Sequence, residues 1–162
     1  MSLPPLDVPR MLRQAGLRPD KRLGQNFLLD DDALQAVVEA AQIETQDTVL
    51  EIGPGLGSLT RLLALASRRV IAVELDGRLI PLLNQVVAPY PHVQVLQGDI
   101  LAVNLTQILS EPGYLVVANI PYYITSAVIR HVLELPAPPR RFVLTVQSEV
   151  AGRICAAPGE MS

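Results

Sequence analysis

The sequence predicts a doubly wound α/β sandwich around a mostly parallel sheet, on three observations. From residue 48 onward, short apolar strands alternate with helical stretches. Val70-Ile71-Ala72-Val73 and Phe142-Val143-Leu144 are apolar on both faces, as strands are when helices cover each side of a parallel sheet. The first strand empties into Gly53-Pro54-Gly55-Leu56-Gly57, a turn that lets backbone approach a ligand closely. Alternation plus right-handed crossovers gives the sandwich, and ligands then bind beyond the carboxyl ends of the strands.

The elements follow in order. Asp7 caps a short helix over Pro9–Ala15, with Pro9 in its first turn and Gly16 as its stop. Arg18–Leu28 shows no period and reads as an extended loop. Asp30 or Asp31 caps a helix to about Ala41 with Leu34, Val37, Val38 and Ala41 on one face. Strands are expected at 48–52, 69–74, 93–97, 114–118 and 141–146. Helices are expected at 57–66, 77–88, 122–134 and 147–156, with a single turn near 104–109. Residues 1–29 read as a basic N-terminal arm and 30–162 as the α/β domain. If the fifth strand is central or near-central, its far side has no partner in this sequence, which implies a piece of a longer protein with an association-prone edge.

Composition narrows the class. With 49% apolar and 18% charged residues, the chain is globular and not a disordered tail. No apolar stretch reaches about 18 residues, so no membrane span is expected, and no secretory signal is visible. Cys155 is the one cysteine, which excludes an internal disulfide, leaves a cysteine-based zinc site without support and fits a reducing, cytoplasmic compartment. Net charge is −3, against bulk nucleic-acid binding. Yet Val8–Leu29 carries Arg10, Arg13, Arg18, Lys21 and Arg22 against Asp20 alone. That cluster is either a solvated surface or a basic docking arm.

The three glycines after the first strand let backbone approach a ligand closely, and the helix from Gly57 points its N-terminus at it. Glu51 precedes the glycines inside the strand. Glu74 ends the second strand about 20 residues on, where a carboxylate accepts ribose hydroxyls. Asp99, in Gln97-Gly98-Asp99-Ile100-Leu101, reaches the rim of the same pocket and could accept an adenine amine; it could equally cap the following turn. Acids around an adenosine suit S-adenosylmethionine, whose sulfonium is positive. A dinucleotide would want a cation for its phosphates, and residues 51–60 contain none.

The second motif is Asn119-Ile120-Pro121-Tyr122, after the apolar run Tyr114-Leu115-Val116-Val117-Ala118. Methylating an exocyclic adenine nitrogen requires holding it near the donor and favouring the form whose lone pair faces the methyl. Asn119 Oδ1 and the Ile120 carbonyl can accept the amine hydrogens and bind them more strongly as the nitrogen becomes positive. Pro121 fixes the turn, and Tyr122 offers a ring face to a flipped base. Alternatively Asn119 caps a helix, Pro121 sits in its first turn and the tyrosines pack. Tyr123 reads as packing, His92 and His131 as lone imidazoles and Cys155 as a small core residue.

In this order the motifs resemble the rRNA adenine N6,N6-dimethyltransferases that modify small-subunit ribosomal RNA. The resemblance runs from Lys21 onward, through Leu23-Gly24-Gln25-Asn26-Phe27-Leu28, Glu51-Ile52-Gly53-Pro54-Gly55-Leu56-Gly57, Glu74-Leu75-Asp76, Gly98-Asp99, Asn119-Ile120-Pro121-Tyr122 and Gln147-Ser148-Glu149-Val150-Ala151. It implies a Rossmann-like S-adenosylmethionine-dependent methyltransferase domain, present in part over 30–162, with further strands and a helical RNA-gripping domain missing. It implies that Asn26 and Leu28 contact the cofactor beside Gly53, Gly55, Glu74, Asp99 and Asn119, and that Asn119, Ile120, Pro121 and Tyr122 receive the target adenine. It implies dimethylation of two adjacent adenosines near the 3′ end of small-subunit rRNA during ribosome assembly, with no metal and no membrane. The family's full-length form is expected to be a monomer, and this shorter chain to be weakly active or inactive alone. Macrolide-resistance methyltransferases share the tetrapeptide, but the Gly-Gln-Asn-Phe-Leu and Gln-x-Glu-Val-Ala segments favour the small-subunit group.

Two other readings are open. One is a non-catalytic RNA-binding assembly or transcription factor on the same fold; intact Glu74, Asp99 and Asn119 speak against it. The other is a nicotinamide-dependent oxidoreductase, which leaves Asn-Ile-Pro-Tyr unexplained.

Overall fold

Five parallel strands in the order β3-β2-β1-β4-β5 form the sheet: β1 (Thr48–Ile52), β2 (Arg69–Glu74), β3 (Val93–Gln97), β4 (Leu115–Asn119) and β5 (Arg141–Thr145). The computed structural model describes residues 3–23, 25, 27, 30–109 and 111–156. The helices are α1 (Val8–Gln14), α2 (Asp31–Ala41), α3 (Ser58–Ala66), α4 (Ile80–Val87), α5 (Leu105–Ile108), α6 (Thr125–Leu133) and α7 (Ser148–Cys155). Turns of 3₁₀ helix cover Lys21–Leu23 and Tyr122–Ile124. Chain order reverses between β1 and β4, so the switch point falls beside the glycine turn.

Alternation along each strand sorts side chains to two faces. Leu50, Ile52, Ile71, Val73, Val116 and Ala118 pack with Leu105, Leu109, Val128 and Val132 on the α5/α6 side. Val49, Val70, Leu115 and Val117 pack with Leu34 and Ala41 of α2 and Leu59, Leu63 and Ala64 of α3. Burying each such aliphatic side chain contributes about 1.5–3 kcal/mol, so two-sided cover is what holds the sheet. The N-terminal segment is packed as well. Val8 and Leu12 of α1 lie against Leu56 and Leu79, and Asp7 caps α1 by accepting from the Arg10 amide at 3.0 Å.

Register places the motifs. Ile52 pairs with Val73 on one side and Ala118 on the other. Gly53, Glu74 and Asn119 therefore leave the sheet at one level. Glu74 pairs with Gln97, so Gly98-Asp99 emerges one step later.

Five expectations shift. The 114–118 strand moves one residue on and takes in Asn119, which pairs with Thr145. The helix expected from 77 starts at Ile80, because Asp76 accepts from the Arg78 amide and Leu79 N–H bonds to the Asp76 carbonyl, closing a turn first. The helix expected from 122 begins as the 3₁₀ turn, with α-geometry only from Thr125, whose hydroxyl donates to the Pro121 carbonyl at 3.2 Å. β5, read as apolar on both faces, is only half-buried along its length; it is the sheet's edge among the described residues, as its unpartnered far side implies. Cys155 is exposed instead of lying in the core, because α7 buries none of its side chains fully.

Candidate functional site

A cavity of about 230 Å³ opens where β1, β2 and β4 end. Gly53, Gly55, Glu51, Glu74, Asp99, Asn119, Ile120 and Pro121 all line it. Both predicted motifs thus face one space, and they touch. A Cβ placed on Gly53 would stand 3.2 Å from the Asn119 carbonyl oxygen. Gly53 has φ +73°, a left-handed backbone that side chains oppose. Gly55 has φ +59°, and a Cβ there would meet the Phe27 ring at 3.0 Å. The turn needs glycine for its backbone and for the close approach of its neighbours.

The carboxyl groups differ in their surroundings. Glu74 is buried, and its two oxygens accept from the backbone amides of Gly55 and Asp76, each at 2.9 Å. Burial raises its pKa, and those amide donors oppose the rise. The carboxylate expected to receive a ribose also ties the glycine turn to the end of β2. Glu51 is 2% exposed. Burial lifts its pKa to about 8, the nearby Thr60 hydroxyl pulls it down, and the charge of Glu74 adds to the rise. Thr60 faces Glu51 without forming a well-made hydrogen bond: Glu51 Oε2 and Thr60 Oγ1 are both buried and unpartnered. Asp99 is exposed at the rim and accepts from the Leu101 amide at 2.9 Å, so it serves as a turn cap while also lining the cavity.

On the other wall, Asn119 ends β4 half-buried, and it does not cap the following turn, whose cap position is Pro121. Ile120 is 8% exposed, packed in the α5/α6 core. Tyr122 is 60% exposed and stands outside the lining. Tyr123, read as packing, instead lines the cavity, 57% exposed, and its hydroxyl donates to the Arg22 carbonyl at 3.1 Å. The two rings meet edge to face at 6.0 Å. His92 has a partner, the Ala64 carbonyl, 2.8 Å from Nε2.

Asn26 and Leu28 lie outside the described residues, as does Gly24. Their neighbours Gln25 and Phe27 line the cavity. Reading from the residues alone missed both. Gln25 donates to Asp76 Oδ2 at 2.7 Å and accepts from the Asp20 amide at 2.8 Å. Arg78 also donates to Asp76 Oδ2 at 2.7 Å, and these donors hold the Asp76 pKa down to about 2, Arg78 first and Gln25 after it. The only sequence signal for either residue was the unexplained Gly-Gln-Asn-Phe-Leu segment.

Charge and shape together define what fits. The described lining carries three carboxyl groups, Glu51, Glu74 and Asp99, and no Lys, Arg or His. A ligand with a positive centre suits such a space; polyphosphates do not. Leu75 and Leu101, 51% and 38% exposed, stand beside Glu74 and near Asp99, giving apolar contact for a flat ring. Outside, Arg10, Arg13, Arg18, Lys21 and Arg22 are exposed; among the described residues none of them forms an ion pair, since Asp20 pairs with Arg78. Among the described residues no group of three potential ligands could hold a metal, and no helix is long and apolar enough to cross a membrane.

Known proteins share this plan. A ribosomal RNA small subunit methyltransferase A from Bacillus mycoides is 40% identical over 154 residues, covering 92% of this chain and 53% of that protein. Its namesake from Bacillus thuringiensis matches equally well. The chain spans about half the length of these curated relatives. Among solved structures, a dimethyladenosine transferase from Plasmodium falciparum superimposes with TM-score 0.73 at 30% identity, over 83% of this chain and 48% of that one. The 23S rRNA methyltransferase ErmE gives 0.70 at 33%, over 78% and 50%. Residues 16–162 match the sequence profile described as ribosomal RNA adenine dimethylase. This chain belongs to the ribosomal RNA adenine dimethylase family.

Proposed function

We propose that this chain carries the cofactor and base pockets of an S-adenosylmethionine-dependent methyltransferase acting on N6 of adenosines in small-subunit rRNA, in the cytoplasm, during ribosome assembly. The products are two adjacent dimethylated adenosines near the RNA's 3′ end. The observation that carries this reading is the single cavity that joins an acid-only, glycine-rich wall to Asn119-Ile120-Pro121.

The residues present fit the cofactor. The glycine turn is a cradle that any Cβ would fill, and Glu51 Oε2 is a buried acceptor with no partner. When bound, S-adenosylmethionine supplies a methyl group on a positively charged sulfur. Glu74 accepts the ribose hydroxyls with lone pairs left over from its two amide bonds, and Asp99 accepts the adenine amine at the rim. Asn26 and Leu28 complete the same pocket by family resemblance. Asn119 Oδ1 and the Ile120 carbonyl hold the substrate amine and favour its pyramidal, increasingly positive form. Pro121 sets the turn that brings those oxygens together. Tyr122, exposed and edge to face with Tyr123 of the cavity wall, takes the face of the unstacked base.

The test uses the complete protein and unmethylated small ribosomal subunits. Calorimetric titration should show S-adenosylmethionine binding and no response to NAD; binding of NAD alone would refute the reading. Asn119→Ala should keep cofactor affinity within a few-fold and lose methyl transfer by roughly 100-fold or more, the usual scale for removing one transition-state acceptor. Retained turnover would remove Asn119 from its role.

A further inference from the structure

We propose that Glu51 holds a proton in the cofactor-free site and releases it to solvent when the positively charged cofactor binds, so that cofactor capture is proton-linked. This rests on the cofactor reading given above and adds a role for a residue that reading leaves idle.

The placement of Glu51 carries the inference. It lies on the α3-facing side of β1, paired in register with Ala72 and Val117, and is 2% exposed, yet it lines the cavity. Its Oε2 has no hydrogen-bond partner. A carboxylate in that position would be a buried charge without compensation, far costlier than a neutral carboxyl there.

The charged groups that share its cavity are all acids. Glu74 of β2 and Asp99 after β3 line it with the neutral Ser58 of α3, Asn119 of β4 and Leu34 of α2; the Thr60 hydroxyl of α3 opposes the effect of burial, and the charge of Glu74 adds to it. No Lys, Arg or His stands among the described lining residues. Glu74 differs because two backbone amides hold its oxygens. Of the adjoining pair, Glu51 is therefore the one that keeps the proton, in line with its raised pKa.

A cationic ligand supplies what the empty wall lacks. On binding, the Oε–H bond of Glu51 breaks, its electron pair stays on the carboxylate and the proton passes to water. No other bond changes.

Calorimetry with S-adenosylmethionine, in two buffers of different ionisation heat, counts the protons. Wild type should release most of one proton per cofactor at pH 7, and its affinity should rise several-fold from pH 6 to pH 7. Glu51→Gln should lose that release and show a clearly shallower pH profile over the same range. Glu51→Met, an apolar side chain of similar length, likewise cannot ionise, and it decides the matter should Glu51→Gln fold poorly. Binding by wild type without proton release, or equal release from a Glu51 variant, would overturn the proposal. Absence of binding at every pH would overturn the cofactor reading itself, a different result.

Discussion

Replacing Glu51 with Gln should make the protein more stable at high pH, against the usual expectation for a buried polar residue. An acid with a raised folded-state pKa binds more protons folded than unfolded, so its contribution is fully present below the unfolded value and is lost as pH rises through the folded one. For Glu51 the window runs from 4.5 to about 8. At about 1.4 kcal/mol per tenfold change in proton affinity, the full span amounts to about 5 kcal/mol, an upper figure because water entry and relaxation soften buried charge. Gln reproduces the neutral acid in shape and cannot ionise, and its amide can donate to the unpartnered Thr60 oxygen. Urea unfolding followed by circular dichroism, from pH 5 to pH 9 without cofactor, measures the difference. The two proteins should match within about 1 kcal/mol at pH 5, the scale of one hydrogen bond. By pH 9 the variant should lead by about 2–5 kcal/mol. Glu74 titrates in both and cancels. If the two stabilities run parallel across the range, Glu51 is not a neutral acid in the folded protein and the reasoning fails.

Two further outcomes follow from named contacts. Gly53→Ala should cost about 1–2 kcal/mol from its left-handed backbone and also weaken cofactor binding, because the new Cβ presses on the Asn119 carbonyl. Gly16→Ala has the same backbone sign but meets nothing within 4 Å; it should show the stability loss alone, and equal cofactor loss in both would refute the contact argument. Asp76→Asn should be less stable than wild type at neutral pH. Because the Asp76 pKa is lowered from 3.8 to about 2, that gap should close as pH falls from about 4 to 2; acid titration by circular dichroism would show a constant gap if Arg78 and Gln25 did not hold the charge.

The alternation of strands and helices was legible because each buried strand is a short apolar run bounded by Gly, Pro or charge, and the ends of β1 and β2 need no tertiary information. Where side chains bend the backbone, the pattern loses its grip. Asp76 delays α4 by bonding its own turn, and no periodicity carries that signal. The apolar composition of β5 resembles that of β2, but composition does not show how much a strand buries, and β5, the edge among the described residues, is only half-buried. The pocket's acids and glycines could be read from their spacing along two adjacent strands. Gln25 could not, since its partner Asp76 is 51 residues away and the bond depends on a loop without period. The position of Tyr123 is hidden for a related reason: a 3₁₀ turn rotates successive residues by about a third of a circle, so Tyr123 lines the cavity while Tyr122 stands outside the lining.

The shared level at which β1, β2 and β4 finish has a consequence for how such a chain can change. Insertions in the loops at the opposite end of the sheet leave Gly53, Glu74 and Asn119 where they are. A one-residue slip of β1 against its neighbours would be far more damaging, since side chains alternate with period two. It would turn Glu51 onto the α5/α6 face, among Leu105, Val128 and Val132, and pull the glycine turn out of step with Asn119. The pairing of Ile52 with Val73 and Ala118 at once guards the chemistry by fixing which way a single strand can face.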